Sequence, residues 1–253
     1  MFVTDAVVEK TIELEHNIIL LQIFSPEIAR IIKPGQFLNV KVSDSVFPLL
    51  RRPFSVCDVA GDSIFIMFNI YGEGTKLLSH KNVGDFINIL GPLGNGFLIE
   101  DEYETAIIVA GGLGAAPFPF LEKKIKPGKK IISFIGGRNY RDVITYGMSS
   151  VLVATDDGSL GFEGNVVQLF QNHIGHFDKE KIKVFACGPN AMLRALQKLT
   201  LFENINCEVS TECAMACGFG ICQGCPIEST SEDHKYLLVC KDGPVFNAKD
   251  VVI

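Results

Sequence analysis

The stretch Thr105-Ala-Ile-Ile-Val-Ala-Gly-Gly-Leu-Gly-Ala-Ala-Pro117 decides the fold. Its first six residues read as a short, nearly all-apolar strand of the kind buried on both faces. The glycine run follows at once, and Ala115–Ile125 then reads as an apolar helix. Downstream, strands at Lys130–Gly136, Val151–Thr155 and Lys183–Cys187 alternate with helices at Asn165–His173 and Asn190–Leu199. Strand and helix in alternation predict a parallel sheet with helices on both faces. The loop at Gly111–Gly114 suits a dinucleotide phosphate close to the backbone. It is not a G-x-G-x-x-G fingerprint, because Pro117 stands where the third glycine would be, and an ordinary βα turn is the alternative. Two further glycine-bearing strand ends, Gly136-Gly137-Arg138 and Cys187-Gly188-Pro189, favour a ligand site, since open α/β sheets bind ligands at the carboxyl ends of their strands.

Working outward, the residues before this stretch read as β structure. Phe2–Leu14, Asn17–Phe24, Gln36–Val42, Phe54–Val59, Ser63–Asn69 and Asp85–Leu90 are rich in Val, Ile and Phe and are separated by turn residues. Many short strands at this spacing predict a barrel. One short helix is expected over Thr75–His80, after Gly74. The acidic stretch Glu100–Glu104 marks the boundary to the α/β region. The last 47 residues show little helical periodicity and hold most of the cysteines. The expected architecture is an α+β multidomain chain: an N-terminal antiparallel β-barrel (1–100), an α/β parallel-sheet nucleotide-binding domain (101–206) and a small C-terminal domain (207–253).

Composition excludes several classes. The chain has 253 residues, a formal net charge of −6, 47% hydrophobic and 21% charged residues, which describes a globular protein and not a disordered one. The negative balance argues against a nucleic-acid binder. No uninterrupted apolar stretch reaches about 18 residues, and Met1-Phe-Val-Thr-Asp-Ala lacks a basic n-region, so neither a membrane span nor a signal peptide is expected. A cytoplasmic location follows as an expectation. The eight cysteines are too few for a disulfide scaffold, and six of them crowd into the last fifth, which points to metal or redox chemistry.

The strongest motif is Cys217-Gly-Phe-Gly-Ile-Cys222-Gln-Gly-Cys225, with Cys240 after fourteen intervening residues. This C-x4-C-x2-C…C spacing is that of plant-type [2Fe–2S] clusters. Gly218, Gly220 and Gly224 let the loop fold closely and aim N–H groups at the sulfurs. A four-cysteine zinc site is the alternative, but zinc ligands usually come as two separate knuckles. Cys213 is read as a neighbouring non-ligand, and Cys57, Cys187 and Cys207 as buried thiols. The second motif is Arg51-Arg52-Pro53-Phe54-Ser55 with Gly72-Glu-Gly74-Thr75. It offers a cation, a hydroxyl and a helix start, which suit a flavin dinucleotide. The five histidines, His16, His80, His173, His176 and His234, form no metal or triad pattern.

Taken in order, these motifs resemble the ferredoxin–NADP reductase superfamily. Within it, the chain is similar over nearly its whole length to the electron transfer subunits of type B dihydroorotate dehydrogenase. The residues that carry the resemblance include Pro34-Gly-Gln-Phe, Arg51-Arg-Pro-Phe-Ser, Gly72-Glu-Gly-Thr, Gly91-Pro-Leu-Gly-Asn-Gly-Phe, Gly111-Gly-Leu-Gly, Ala186-Cys-Gly-Pro, Met215-Ala-Cys-Gly and Val239-Cys-Lys-Asp-Gly-Pro-Val-Phe. The resemblance implies an oxidoreductase subunit of pyrimidine biosynthesis. Electrons from the FMN of a catalytic partner would pass through a [2Fe–2S] cluster and FAD to NAD⁺, with no dihydroorotate site and no catalytic acid–base group on this chain. By position, Arg52, Pro53, Phe54, Ser55, Met67, Phe68, Asn69, Gly74 and Thr75 would hold FAD, and Cys217, Cys222, Cys225 and Cys240 the cluster. Gly112, Gly114, Cys187, Gly188 and Pro189 would take the nicotinamide nucleotide. The resemblance also implies a heterotetramer of two catalytic and two electron transfer chains. Asn69 stands where a basic residue is common, and Cys213 is an addition to the pattern. Arg138 and Arg141 could serve a 2′-phosphate, so NAD rests on the resemblance. The small subunit of an NADH-dependent ferredoxin:NADP oxidoreductase or of a sulfide dehydrogenase would share these modules. A zinc-binding regulatory or interaction protein is the alternative of another class.

Overall fold

A computed structural model describes residues 1–14 and 17–253, so His16 lies outside the described residues. Six strands form a closed barrel in the order β1-β2-β5-β4-β3-β6. They are β1 (Phe2–Glu13), β2 (Ile18–Phe24), β3 (Phe37–Lys41), β4 (Arg52–Ala60), β5 (Ser63–Asn69) and β6 (Phe86–Leu93), all paired antiparallel. A one-turn helix α1 (Pro26–Ala29) follows β2, and α2 (Glu73–Ser79) follows β5. The period-2 pattern explains why these strands are apolar on both faces. In β2, Ile19, Leu21 and Ile23 fill the barrel, whereas Ile18 and Leu20 pack outward against the second sheet. In β3, Leu38 and Val40 point in, and Phe37 points out toward the C-terminal segment.

The second sheet has the order β10-β9-β8-β7-β11-β12-β15. Strands β7 (Thr105–Gly111), β8 (Lys130–Gly137), β9 (Val151–Thr155), β10 (Phe162–Glu163), β11 (Ile182–Cys187) and β12 (Asn206–Ser210) run parallel. Helices α3 (Phe118–Lys124), α4 (Val166–His173) and α5 (Asn190–Phe202) connect them. The helix expected from Ala115 starts at Phe118: a 3₁₀ turn occupies Gly112–Ala115, and Pro117 and Pro119 fit only a helix's first turn. Asn165 caps α4 by accepting from the Gln168 N–H, as its place before an apolar run suggests. The boundary drawn at 206/207 falls inside β12, and the chain leaves this sheet only at Thr211.

The remaining residues form a small sheet of β13 (Pro226–Ser229), β14 (Tyr236–Leu238) and β16 (Val251–Val252). Strand β15 (Val245–Asn247) does not join them. It adds antiparallel to β12 at the edge of the large sheet. One apolar core therefore runs from that sheet (Val184, Val209) into the C-terminal segment (Cys225, Val239, Cys240, Phe246).

Two seams fix the three parts around the site. The Asn95 N–H donates to the Gly243 carbonyl at 2.5 Å, joining the barrel to the C-terminal segment. At the other seam, Lys183 of β11 is 1% exposed, and its ammonium donates to the Leu98 carbonyl at 2.6 Å, to Glu208 Oε1 at 3.0 Å and to Asp101. Glu208 Oε2 accepts from the Leu98 N–H at 3.0 Å. The linker at 98–101 is thus clasped by a buried cation that is fully hydrogen-bonded, the condition under which a buried charge is tolerated.

Candidate redox site: two clefts and a cysteine loop

The first cleft, about 190 Å³ in volume, opens where all three parts meet. The barrel supplies Pro53, Phe54 and Ser55 of β4, Met67, Phe68 and Asn69 of β5, and Thr75 of α2. Phe54 and Phe68 pack with ring centroids 5.4 Å apart behind this wall. The sheet supplies Leu113, Ala116 and Pro117, and the C-terminal segment Thr211, Glu212, Cys213 and Met215. An apolar slot rimmed by hydroxyls suits a flat aromatic cofactor with a polar tail. Thr75 Oγ1 also accepts from the N–H groups of Tyr71 and Gly72, at 3.0 and 3.1 Å, which fixes the start of α2. Arg52 and Gly74 do not line the cleft. They pack on one another beside it, and a Cβ on Gly74 would lie 3.2 Å from Arg52 Nε. The Arg52 guanidinium is held by the Leu50 carbonyl at 2.6 Å.

The second cleft, about 700 Å³, lies over the carboxyl ends of β7, β8 and β11. Gly112 and Pro189 line it, with Gly136, Gly137, Arg138, Asp142, Asp156 and Met192. Gly114, Cys187 and Gly188 instead form close packing behind it: a Cβ on Gly114 would sit 2.4 Å from the Cys187 carbonyl oxygen. Cys187 is 1% exposed, and burial pushes its thiol far up. Asp156 was not singled out from the sequence, although it follows the strand end at Thr155 and the same strand-end rule would have found it. Arg138 Nε donates to Asp142 Oδ2 at 2.8 Å, and Arg141 lies over the Tyr140 ring. Asn69 and Leu113 line both clefts, so the two are contiguous.

The cysteine loop sits against the first cleft. Cys225 and Cys240 are buried with their sulfurs 3.1 Å apart. Cys217 and Cys222 make the second pair, nearer the surface, with the Cys222 N–H 3.5 Å from the Cys217 sulfur. The Gly220 N–H donates to the Cys240 sulfur at 3.1 Å, and Gly218 and Gly220 take left-handed φ of +82° and +90°. Burial opposes ionisation of Cys217, but the N–H groups of Cys222, Phe219 and Ile221 and the Cys222 thiol overcome it and bring Cys217 down to about 6. Among the described residues no three or more His, Cys, Asp or Glu side chains gather as a single-metal site. Two thiol pairs with amides aimed at sulfur fit a binuclear cluster, whose irons each take two cysteines, better than a tetrahedral zinc. Cys213 stands outside both pairs, half-buried in the wall of the first cleft, and burial beside Cys225 pushes its thiol up to about 11. Cys57 and Cys207 are buried thiols raised to about 12 by burial. The rings of His173 and His176 meet edge to face with centroids 5.8 Å apart, and His173 Nδ1 is bonded to the Leu169 carbonyl.

Residues 212–252 match the family model described as the iron-sulfur cluster binding domain of dihydroorotate dehydrogenase B. Among curated proteins, the dihydroorotate dehydrogenase B (NAD(+)) electron transfer subunit of Caldanaerobacter subterraneus is 41% identical over 221 residues, 87% of each chain. That of Bacillus velezensis is 39% identical over 232 residues, 87% of this chain and 88% of the relative. Among solved structures, one of an NADH-dependent reduced ferredoxin-NADP oxidoreductase superposes with a TM-score of 0.83 at 26% identity, covering 98% of this chain and 89% of that one. A Neisseria gonorrhoeae ferredoxin NADP⁺ reductase with bound FAD and NADP shares the fold over 81% of this chain and 92% of its own, with a TM-score of 0.66 at 16% identity. With these identities over nearly full length, the chain belongs to the family of dihydroorotate dehydrogenase B electron transfer subunits.

Proposed function

We propose that this chain is the electron transfer subunit of an NAD-dependent dihydroorotate dehydrogenase, taking electrons from an FMN-containing catalytic partner and delivering them to NAD⁺. The carrying observation is the shared walls: Asn69 and Leu113 belong to both clefts, and Cys213 and Met215 join the first cleft to the cysteine segment. When bound, a [2Fe–2S] cluster would supply one-electron transfer, and FAD the conversion to a hydride for the nicotinamide.

Cys217, Cys222, Cys225 and Cys240 would ligate the cluster. Exposure of Cys222, with Ile221 at 75%, leaves that side of the loop open to a partner, while buried Cys225 on the other side contacts Cys213, which lines the first cleft. Pro53, Phe54, Ser55, Met67, Phe68 and Thr75 would hold the flavin and shield its ring from water, and Arg52 would face its phosphates at the start of α2. Gly112 and Pro189 would admit the nucleotide close to the backbone, over a floor that Gly114, Cys187 and Gly188 pack from behind. The acidic pair Asp142 and Asp156 beside Arg138 suits a ribose hydroxyl over a 2′-phosphate, which favours NAD.

The division of labour runs barrel 1–100, nucleotide domain from 101, and iron–sulfur segment to 253, with the second boundary placed at Thr211 instead of 207. We assign the chain to the cytoplasm; among the described residues no helix is long and apolar enough to cross a membrane. Assembly with two catalytic chains as a heterotetramer is read from the family and is measured by light scattering of the co-purified complex.

The test is co-purification from the native cell followed by a dihydroorotate:NAD⁺ assay with iron, sulfide and flavin analysis. Recovery of an FMN protein active on dihydroorotate supports the reading. A glutamate-synthase-like flavoprotein in its place would favour the ferredoxin:NADP oxidoreductase alternative, for which the shared architecture at 26% identity is the supporting observation. Zinc without iron or flavin would overturn the enzyme reading.

A further inference from the structure

Strand β3 carries a polar side chain for which the barrel has no use. Its neighbours Leu38 and Val40 point into the barrel core, and Phe37 points out into the core shared with Cys225 and Cys240. Asn39 is 0% exposed. Its Nδ2 donates to the Cys217 carbonyl at 3.1 Å, across 178 residues of sequence. Its Oδ1 is buried with no hydrogen-bond partner among the described residues. A buried amide with an unused oxygen is costly, so a fold that retains one has a reason outside local stability. The surroundings supply the reason. A Cβ on Gly218 would lie 2.6 Å from Asn39 Nδ2, so the amide also defines the space in which that left-handed residue sits. Asn39 is paired across the sheet with Pro53 of the first cleft, and its carbonyl accepts from Arg51 Nη1 at 3.2 Å.

We propose that Asn39 is a positioning residue for the iron–sulfur cluster: anchored on the flavin-bearing barrel, it holds the backbone of Cys217 and so fixes that ligand relative to the flavin strand. It acts through the Cys217 backbone and does not line the first cleft. The proposal rests on the cluster reading of the four cysteines. Loss of the Nδ2 donor frees the Cys217–Gly218 backbone and makes the cluster labile, while the flavin cleft, which Asn39 does not line, stays intact.

The test uses the cluster-bearing protein in complex with its catalytic partner. Asn39→Asp keeps the shape and removes the donor, Asn39→Leu removes donor and orphan oxygen together, and Gly218→Ala pushes a methyl into the amide. Three quantities are read: the rate of iron release to a ferrous chelator, the electron paramagnetic resonance spectrum of the reduced cluster, and flavin content per chain. All three variants are expected to release iron tenfold faster or more, the scale on which outer-shell partners of metal ligands act. Altered g values and wild-type flavin content are expected with it. Wild-type iron release and spectra in Asn39→Asp and Asn39→Leu overturn the proposal, as does flavin loss in parallel with iron. A wild-type protein lacking iron and sulfide would instead sink the cluster reading itself.

Discussion

The barrel and the iron–sulfur segment of this molecule reach order by different routes. The barrel closes six strands on themselves, so no edge is left, and Leu21, Val56 and Ile66 inside it are fully buried. The segment after Thr211 has no core of its own. Cys225, Val239, Cys240 and Phe246 join the core of the nucleotide sheet, β15 is lent to that sheet's edge, and Ile227, Leu237 and Leu238 of the small sheet stay half-buried. What remains is a loop held by left-handed glycines, by amides aimed at sulfur and by Asn39 reaching over from the barrel. Hydrophobic burial thus builds the barrel wall of the first cleft, whereas the cysteine loop depends on its neighbours and, in the proposed function, on the metal it would bind.

Removing a buried cysteine of the proposed cluster site breaks this comparison most severely. Cys225→Ser is expected to abolish the cluster entirely, with loss of its visible bands and its magnetic resonance signal, and to leave flavin near the wild-type ratio. Parallel loss of flavin would mean that the barrel cleft is not self-sufficient. The clasp between barrel and sheet comes next. Lys183→Met leaves Glu208 buried and unpaired and is expected to cost about 3–5 kcal/mol in urea unfolding. Lys183→Met with Glu208→Leu should recover most of that, and a single-variant cost below about 1 kcal/mol would remove the clasp from the account.

Smaller effects sharpen the comparison at the seams. Gly94→Ala puts a Cβ 2.5 Å from the Gly243 carbonyl at a φ of +69° and is expected to destabilise by about 1–3 kcal/mol. Iron content should fall in this variant before flavin content does, since the strain falls on the iron–sulfur side of the seam. Thr75→Val removes the acceptor for the Tyr71 and Gly72 N–H groups and should cost about 1 kcal/mol, comparable to losing a helix cap. The cost is read from the unfolding midpoint in urea, and an unchanged midpoint would remove these hydrogen bonds as the fixing contact of α2.

The elements most visible in the sequence are those whose signal is local. The strand at Thr105–Ala110 with its glycine turn, the alternation in the barrel strands and the helix near Asn165–His173 all rest on a few neighbouring residues, and the structure has each of them. Prolines hid the start of α3, since Ala115–Pro117 carries an apolar helical pattern on a backbone that winds as a 3₁₀ turn. Of the nucleotide-loop residues, Gly112 reaches the cleft and Gly114 packs behind it, a difference set by which residue faces Cys187 and not by any feature of Gly-Leu-Gly itself. The hydrogen bonds of Lys183 with Leu98 and Glu208 join residues 85 and 25 positions apart, and no motif announces them.

By itself, the sequence determined which chemistry this chain can carry. Periodicity, turn residues and cysteine spacing are properties of neighbouring residues, and they specify a barrel, a parallel sheet and a thiolate loop in that order. Only the tertiary structure decided that Asn69 and Leu113 serve two clefts at once, that β15 leaves its own segment for the large sheet, and that Asn39 meets Cys217. Those contacts form only after strands far apart in the chain have paired, because burial and close packing, which no local pattern encodes, select which distant side chains come to share a wall.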